Sequence, residues 1–189
     1  METDCRRKRA EFIDSAVKVK EAFSFAHPCE ILSAVDKYCT CYYGAPLWEM
    51  RSESVKMINS SWRTNVKLTW DLPRNCRNYF LDEIFASHLT PPTVSLPSRF
   101  VTFLHSLLDS PSLEVQILCR LSARDIRTNT GSNISHVKSL TGLDPMDYGG
   151  QRIKDEVHIA LKAEVPPTDQ WRLPFLEKLL ARRTEAFYT

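Results

Sequence analysis

The sequence lacks several patterns that identify common classes of protein. No apolar run reaches the roughly 18 residues needed to span a bilayer, so we expect no association with a membrane. No segment alternates apolar and polar residues as a half-buried β-strand does, whereas helical spacing recurs along the chain. The pattern predicts an all-α fold, an irregular bundle of about seven to nine helices.

Motifs for common catalytic chemistries are also missing. There is no Gly-x-Ser-x-Gly elbow for a nucleophilic serine and no pair of histidines at i and i+4. No Asp-Asp dipeptide occurs, although two-metal polymerases hold their Mg²⁺ ions with clustered carboxylates. We interpret the adjacent acids Asp82-Glu83 and Asp155-Glu156 as solvated helix surface. We therefore expect no catalytic residue, no metal ligand and no cofactor in this chain.

Composition sets two further limits. Hydrophobic residues make up 43% of the chain and charged residues 25%, and the net charge of +2 means that any basic surface must be local. The six cysteines are irregularly spaced, and Cys39 and Cys41 would lie about 200° apart on one helix. We therefore expect reduced thiols in an intracellular protein of the nucleus or the cytoplasm.

The stretch from Pro28 to Arg74 has the clearest organisation. A first helix begins at Pro28, because proline suits the first helical position, and its apolar residues share one face. Gly44 is expected to end this helix in the left-handed conformation, with Pro46 preventing its continuation. Tyr43, Gly44, Trp48 and Trp62 are interpreted as structural residues.

A second helix, over residues 53–70, separates apolar from basic residues. Its apolar stripe consists of Val55, Ile58, Trp62 and Val66. Lys56, Ser60, Arg63 and Lys67 fall within about 60° of one another on a neighbouring flank, and Arg74 and Arg77 follow the helix. Such a row can follow a phosphate backbone, and the alternative is an ordinary solvated face. Trp70 could stack on a base or pack against a neighbouring helix.

A second concentration of positive charge lies near the N-terminus. Arg6, Arg7, Lys8 and Arg9 precede a stretch with the periodicity of an amphipathic helix. The run could bind nucleic acid or act as a nuclear import signal, and the alternative is the solvated start of a helix.

The remaining pattern suggests two packed subdomains, residues 1–89 and 90–189, separated by a proline-rich break at residues 90–97. Further helices are expected over residues 75–87 and 98–108, after a Ser110 N-cap followed by Pro111, before Gly142, and over residues 171–187. The spacing over residues 151–164 does not decide the type of element.

Motifs along nearly the whole chain resemble the region that follows the polymerase palm in non-LTR (LINE-type) retrotransposon reverse transcriptases. In chain order they are Phe23-Ser24-Phe25-Ala26-His27-Pro28, Tyr43-Gly44-x-x-Leu47-Trp48, Trp62, Leu72-Pro73-Arg74, Arg99-Phe100-x-x-Phe103, Leu107-Leu108-x-Ser110-Pro111-Ser112 and Trp171-Arg172-Leu173. In that family, the corresponding region is the helical thumb, which holds the template–primer duplex, and the connector after it.

The resemblance implies a fragment of an RNA-directed DNA polymerase: a thumb over residues 1–89 and a connector over residues 90–189. The palm, with its acidic turn and its Mg²⁺ ions, would be missing from this chain, which would not synthesise DNA alone. The expected partner is an RNA–DNA or RNA duplex, contacted by the basic residues named above. The alternative is a non-catalytic helical module that binds a protein partner.

Overall fold

A computed structural model describes residues 2–39, 42, 44–85, 90–163, 165–170, 172, 174, 176–178 and 181. Every regular element in these ranges is helical, which confirms the expected all-α fold. The α-helices are α1 (Glu2–Ala22), α2 (Pro28–Cys39), α3 (Glu53–Thr69), α4 (Asn78–Phe85), α5 (Pro92–Leu108), α6 (Leu113–Arg124), α7 (Asn129–Thr141) and α8 (Gly150–Ala163), with short 3₁₀ turns at Ala45–Leu47 and Pro167–Asp169.

Helices α1, α2 and α3 pack around one apolar cluster. Phe12 from α1, Val35 from α2 and Trp62 from α3 lie at its centre. The four residues of the apolar stripe expected on residues 53–70 (Val55, Ile58, Trp62 and Val66) are all buried. Their burial confirms the predicted inner face of α3, and it turns the opposite flank of that helix outward.

Helices α5 to α8 enclose a second apolar cluster. Val101, Val137, Ile153 and Val157 are fully buried within it. A third cluster, in which Leu96 of α5 joins Trp48, Val55 and Ile58, lies between the first two. The division into subdomains at residue 90 stays a prediction, since apolar contacts continue across it.

Trp70 forms the C-cap of α3 and is only 4% exposed. Its indole meets the ring of His27 edge to face, with the ring centroids 5.7 Å apart. Of the two interpretations of Trp70, packing against a neighbour is therefore the one that the structure supports. A base could not stack on this side chain without first displacing it from the core.

Gly44 does not adopt the left-handed conformation that we expected of a helix end. Its φ is −84° and its ψ is 0°, and it precedes the 3₁₀ turn Ala45–Leu47. Glycine is favoured here by a close approach, because a Cβ atom would lie 3.1 Å from Oδ2 of Asp4. By contrast Gly142, with φ of 73°, ends α7 in the left-handed conformation, as predicted.

Two helix starts differ from those expected. Helix α5 begins at Pro92, six residues earlier than predicted, and it passes through Pro97. Its buried apolar face offsets the single hydrogen bond that Pro97 cannot donate. Helix α6 is capped by Ser112, whose hydroxyl accepts from the Val115 N–H at 3.3 Å, and not by Ser110. Residues 150–163, left undecided by the sequence, form α8.

The helix expected over residues 171–187 lies largely outside the described residues, although those described within it are helical. In the described ranges, no helix combines the length and the apolar character that crossing a membrane would demand.

Candidate nucleic-acid interface

The outer flank of α3 presents its cations to a cleft. Ser52 begins the helix by accepting a hydrogen bond from the Val55 N–H at 3.3 Å. Lys56 and Arg63, two turns apart, then project from the flank beside the buried stripe. The cleft that they line has a volume of about 520 Å³ and opens between α3 and the helices α5, α7 and α8.

The lining of this cleft is positive on one side and largely apolar on the other. Arg51, just before α3, joins Lys56 and Arg63 as the third permanent cation. The apolar part comes from α5, α7 and α8, and includes Leu96, Pro97, Leu140, Val157 and Leu161. None of the described residues that line the cleft is an acid. Positive charge within a low-dielectric concavity concentrates the field that attracts an anion.

His136 of α7 also lines the cleft, without adding to its positive charge at neutral pH. Burial lowers the pKa of this imidazole below its ordinary value of 6.5, and the guanidinium of Arg51 lowers it further. Glu49 acts weakly in the opposite direction. The ring is therefore neutral near pH 7 and can donate or accept one hydrogen bond.

A buried asparagine fixes the segment that carries Arg51. Asn133 of α7 is fully buried; its Oδ1 accepts from the Met50 N–H at 2.9 Å and its Nδ2 donates to the Trp48 carbonyl at 2.7 Å. The neighbouring Ser132 hydroxyl donates to a Glu49 carboxylate oxygen at 2.9 Å. The sequence pattern did not single out Asn133. The signal available was an amide beside the apolar positions of a short helix, where a polar residue needs a partner.

Lys56 and Lys67 each have one partner among the residues that the structure describes. The Lys56 ammonium lies 3.3 Å from a Glu53 carboxylate oxygen, and both side chains are exposed, so this ion pair is weak. Lys67 is half-buried, and its ammonium donates to the Arg74 carbonyl at 3.1 Å. That bond holds the exposed Arg74 close to the end of α3.

Ser60 does not join this edge. It lies in a separate groove of about 200 Å³ between α1 and α3, together with Arg9, Phe12 and Thr64. Helix α1 packs against that flank of α3, and the rotation angle within α3 alone could not show this.

Arg77 is held in an ion-pair cluster. Its guanidinium pairs with the buried carboxylate of Asp169 and lies 2.8 Å from the Tyr79 hydroxyl, which also donates to Asp169. The pKa of Arg77 is raised first by the bond to Tyr79 and then by the charge of Asp169. The cluster ties the start of α4 to the turn at Pro167–Asp169, which gives Arg77 a structural partner.

The N-terminal basic run is largely paired. Arg7 donates to Asp4 and Glu11 at 2.6 Å each, and Lys8 lies 2.9 Å from the other oxygen of Glu11. Arg9 donates to the Ser61 hydroxyl of α3 at 2.9 Å. Arg6 is exposed. The acids at helical spacing cancel much of the charge that the run has in sequence.

Comparisons with known proteins add no further identification. No protein-family model matches the chain, and neither the curated proteins nor the solved structures include a match. Among the described residues there is no group of three or more His, Cys, Asp or Glu side chains placed to hold a metal ion.

Proposed function

We propose that this protein binds the phosphate backbone of nucleic acid through the α3 edge, defined as Arg51, Lys56, Arg63 and Lys67, and that it does so without catalysis. The proposal rests on one observation. Three of these cations line a single cleft, and none of the described residues that line it is an acid. Phosphate contacts from lysine and arginine give affinity that is independent of sequence.

The spacing along α3 suits a nucleotide strand. Lys56 and Arg63 are separated by seven residues, which is about 10 Å along a helix axis. Phosphates of one duplex strand advance by about 3.4 Å per nucleotide. Side chains at these two positions could therefore contact different phosphates of the same strand, and Lys67 would extend the row by one further turn.

We further propose, from the resemblance described above, that the chain corresponds to the thumb and connector of a LINE-type reverse transcriptase and that its natural ligand is an RNA–DNA or RNA duplex. The fold is consistent with an all-helical region of this kind. The coding sequence upstream of Met1 provides a direct test of origin. An in-frame aromatic-x-Asp-Asp motif is expected there, and an unrelated reading frame would contradict the proposed origin.

A shift assay with an RNA–DNA duplex at low salt tests the binding function. We expect retardation that weakens steeply as salt rises, because bound phosphates release counterions. Lys56→Glu, Arg63→Glu and Lys67→Glu together should abolish binding. Circular dichroism would verify that the variant stays helical. If the wild-type protein fails to bind, or the folded triple variant binds equally well, the function is wrong.

One observation favours a second candidate, a helical module that binds a protein. Helix α6 exposes apolar side chains along one side: Leu118 is 63% exposed and Leu121 is 57% exposed. Pull-downs from nuclease-treated extract separate the candidates, because a protein partner survives that treatment. Loss of the partner in the Leu118→Glu, Leu121→Glu variant would support this second function.

A further inference from the structure

We propose that the cleft beside α3 receives one unpaired nucleotide, with its phosphate on Arg51, Lys56 and Arg63 and its base on the apolar lining. The inference rests on the proposed function, and it names a ligand for the part of the surface that a duplex cannot enter.

The size of the cleft suits this ligand. Its volume of about 520 Å³ lies within the range of roughly 300 to 1,000 Å³ that is typical of small-molecule sites. A double helix is too wide to fill such a space and can only lie across its mouth. A single base with its sugar can enter, and three cations line the same cleft and can meet its phosphate.

The apolar side of the cleft suits the flat face of a base. Leu96 and Pro97 of α5, Leu140 of α7, and Val157 and Leu161 of α8 contribute to it. Every base has an apolar π-face, so contact with such a surface is tolerant of sequence. An inorganic phosphate would use the cations alone and would leave this surface empty.

Two oxygens in the walls of the cleft call for a ligand with hydrogen-bond donors. The Asn59 Oδ1 and the Thr93 Oγ1 atoms are buried and have no hydrogen-bond partner within the described part of the chain. Both residues line the cleft. Buried acceptors of this kind are normally satisfied. The Asn59 amide oxygen can only accept, so an amine or ring N–H group of a base suits it and a phosphate oxygen does not, whereas the Thr93 hydroxyl can donate or accept.

These features favour a nucleotide over an acidic peptide. An acidic helix would need a long groove with several anchors at helical spacing, whereas the cations here line one side of a single compact concavity.

The test compares ligands on the full chain by fluorescence anisotropy and calorimetry. The duplex probes are a blunt RNA–DNA duplex, the same duplex with one unpaired adenosine nucleotide, and the same duplex with an abasic nucleotide at that position. We expect the unpaired base to tighten binding about five- to tenfold, which is the lower part of the range for one stacked base. An abasic overhang that binds as tightly as the adenosine overhang would overturn the proposal.

Free ligands show whether the nucleotide must belong to a strand. AMP is expected to bind more tightly than ribose 5-phosphate, and equal binding of the two would overturn the base contact. If AMP binds more tightly than ribose 5-phosphate while no duplex binds, the inference stands and the proposed function fails. The two failures are therefore distinguishable. Competition of AMP by an acidic helical peptide, without competition by ribose 5-phosphate, would also count against a nucleotide site.

Variants locate the contact. The substitutions Asn59→Leu and Thr93→Val remove the two unpartnered oxygens without opening a cavity. We expect them to bring the ratio of overhang to blunt-duplex affinity close to one. Thr64→Val lies on the opposite flank of α3, in the groove with Arg9, and should keep the preference. An unchanged ratio in both cleft variants would overturn the role of these oxygens and, with it, the proposed orientation of the base.

Discussion

Helices α1 and α3 each carry a concentration of positive charge, and the structure treats the two in opposite ways. On α1, Arg7 is flanked at helical spacing by Asp4 and Glu11, and both acids bind it. On α3, Glu53 pairs with Lys56 at an exposed position, but the positions three and four residues from Arg63 hold no acid, and none of the described residues that line the cleft is acidic. The spacing of acids, more than the number of cations, decides which run produces a positive surface.

The two helices also differ in what positions them. The N-terminal run organises itself, since most of its partners come from its own helix and are within four residues. The α3 edge depends on distant parts of the chain: Asn133 holds the segment before α3 through bonds that span more than 80 residues. A local pattern of charges can therefore be identified in the sequence. The cleft that these cations line is formed by distant parts of the chain and cannot be identified in this way.

The largest expected effect is a difference in nucleic-acid affinity between two variants that lose the same charge. Neutralising Lys56, Arg63 and Lys67 to glutamine should weaken duplex binding on the order of 100-fold at low salt, and the log–log salt slope should fall by about three units. Neutralising Arg6, Arg7 and Lys8 to glutamine should weaken it less than about threefold, because acids already pair with two of them. Anisotropy titrations over a salt series measure both.

Equal losses in these two variants would contradict the comparison, since affinity would then follow net charge alone. A larger loss in the N-terminal variant would move the interface to α1. Thermal melts of both variants are the control for folding.

The next effect concerns the scaffold of the α3 edge. Asn133→Ala removes two buried hydrogen bonds and leaves the Met50 N–H and the Trp48 carbonyl without their partner. We expect a loss of about 2 kcal/mol in the free energy of unfolding, measured by urea denaturation. Ser139→Ala, at an exposed position of the same helix, is the matched control and should change stability by less than about 0.5 kcal/mol. If the two variants were equally stable, the two hydrogen bonds of Asn133 would not be what holds the segment before α3 in place.

Much of the fold could be predicted because apolar and polar residues separate cleanly on several helices. Helix α3 was placed to within one residue of its observed end, and its buried stripe was identified completely. The pattern was misleading where one residue type serves two purposes. Pro97 can end a helix or lie in its first turns. Glycine at position 44 allows the close approach of Asp4, and no local pattern in the sequence indicates that contact.

The candidate site was predictable only in part. Rotation along α3 correctly placed Lys56 and Arg63 together, but it could not show that α1 would pack on the flank that carries Ser60. Similarly, nothing near Arg77 in the sequence announces its pairing with Asp169, 92 residues away. Tertiary packing decides such matters, and the sequence shows only which side chains are available for it.

A smaller effect concerns the pH dependence of the free energy of unfolding, in which Asp4 and Asp14 of α1 should differ. The pKa of Asp4 is held below its ordinary value of 3.8, first by the hydrogen bond from Arg7 and then by that from the Trp48 indole. Because the folded pKa is the lower one, Asp4 contributes stability above pH 3.8 and loses it as the pH falls through the folded value. Asp4→Asn should therefore be less stable than the wild type at pH 7, and the difference should close on acidification below pH 3.8.

Urea denaturation at several pH values would measure this difference. Asp14→Asn is the control on the same helix, since the partner described for its carboxylate is the exposed Lys18, in an i,i+4 pair. A gap between the wild type and Asp4→Asn that stays constant down to pH 3 would rule out the charge of Asp4 as its cause.

The smallest expected effect comes from variants that make the surface more positive, because each replaces an acid by glutamine. Glu53→Gln frees Lys56 from its one described carboxylate, and we expect duplex binding to tighten about twofold at low salt. Stability should change by less than about 0.5 kcal/mol, because the pair is exposed. Glu11→Gln removes the carboxylate beside Lys8 and one of the two carboxylates that bind Arg7, which keeps its bond to Asp4. If the α3 edge is the interface, Glu53→Gln tightens binding more than Glu11→Gln. The opposite order would assign the interface to α1.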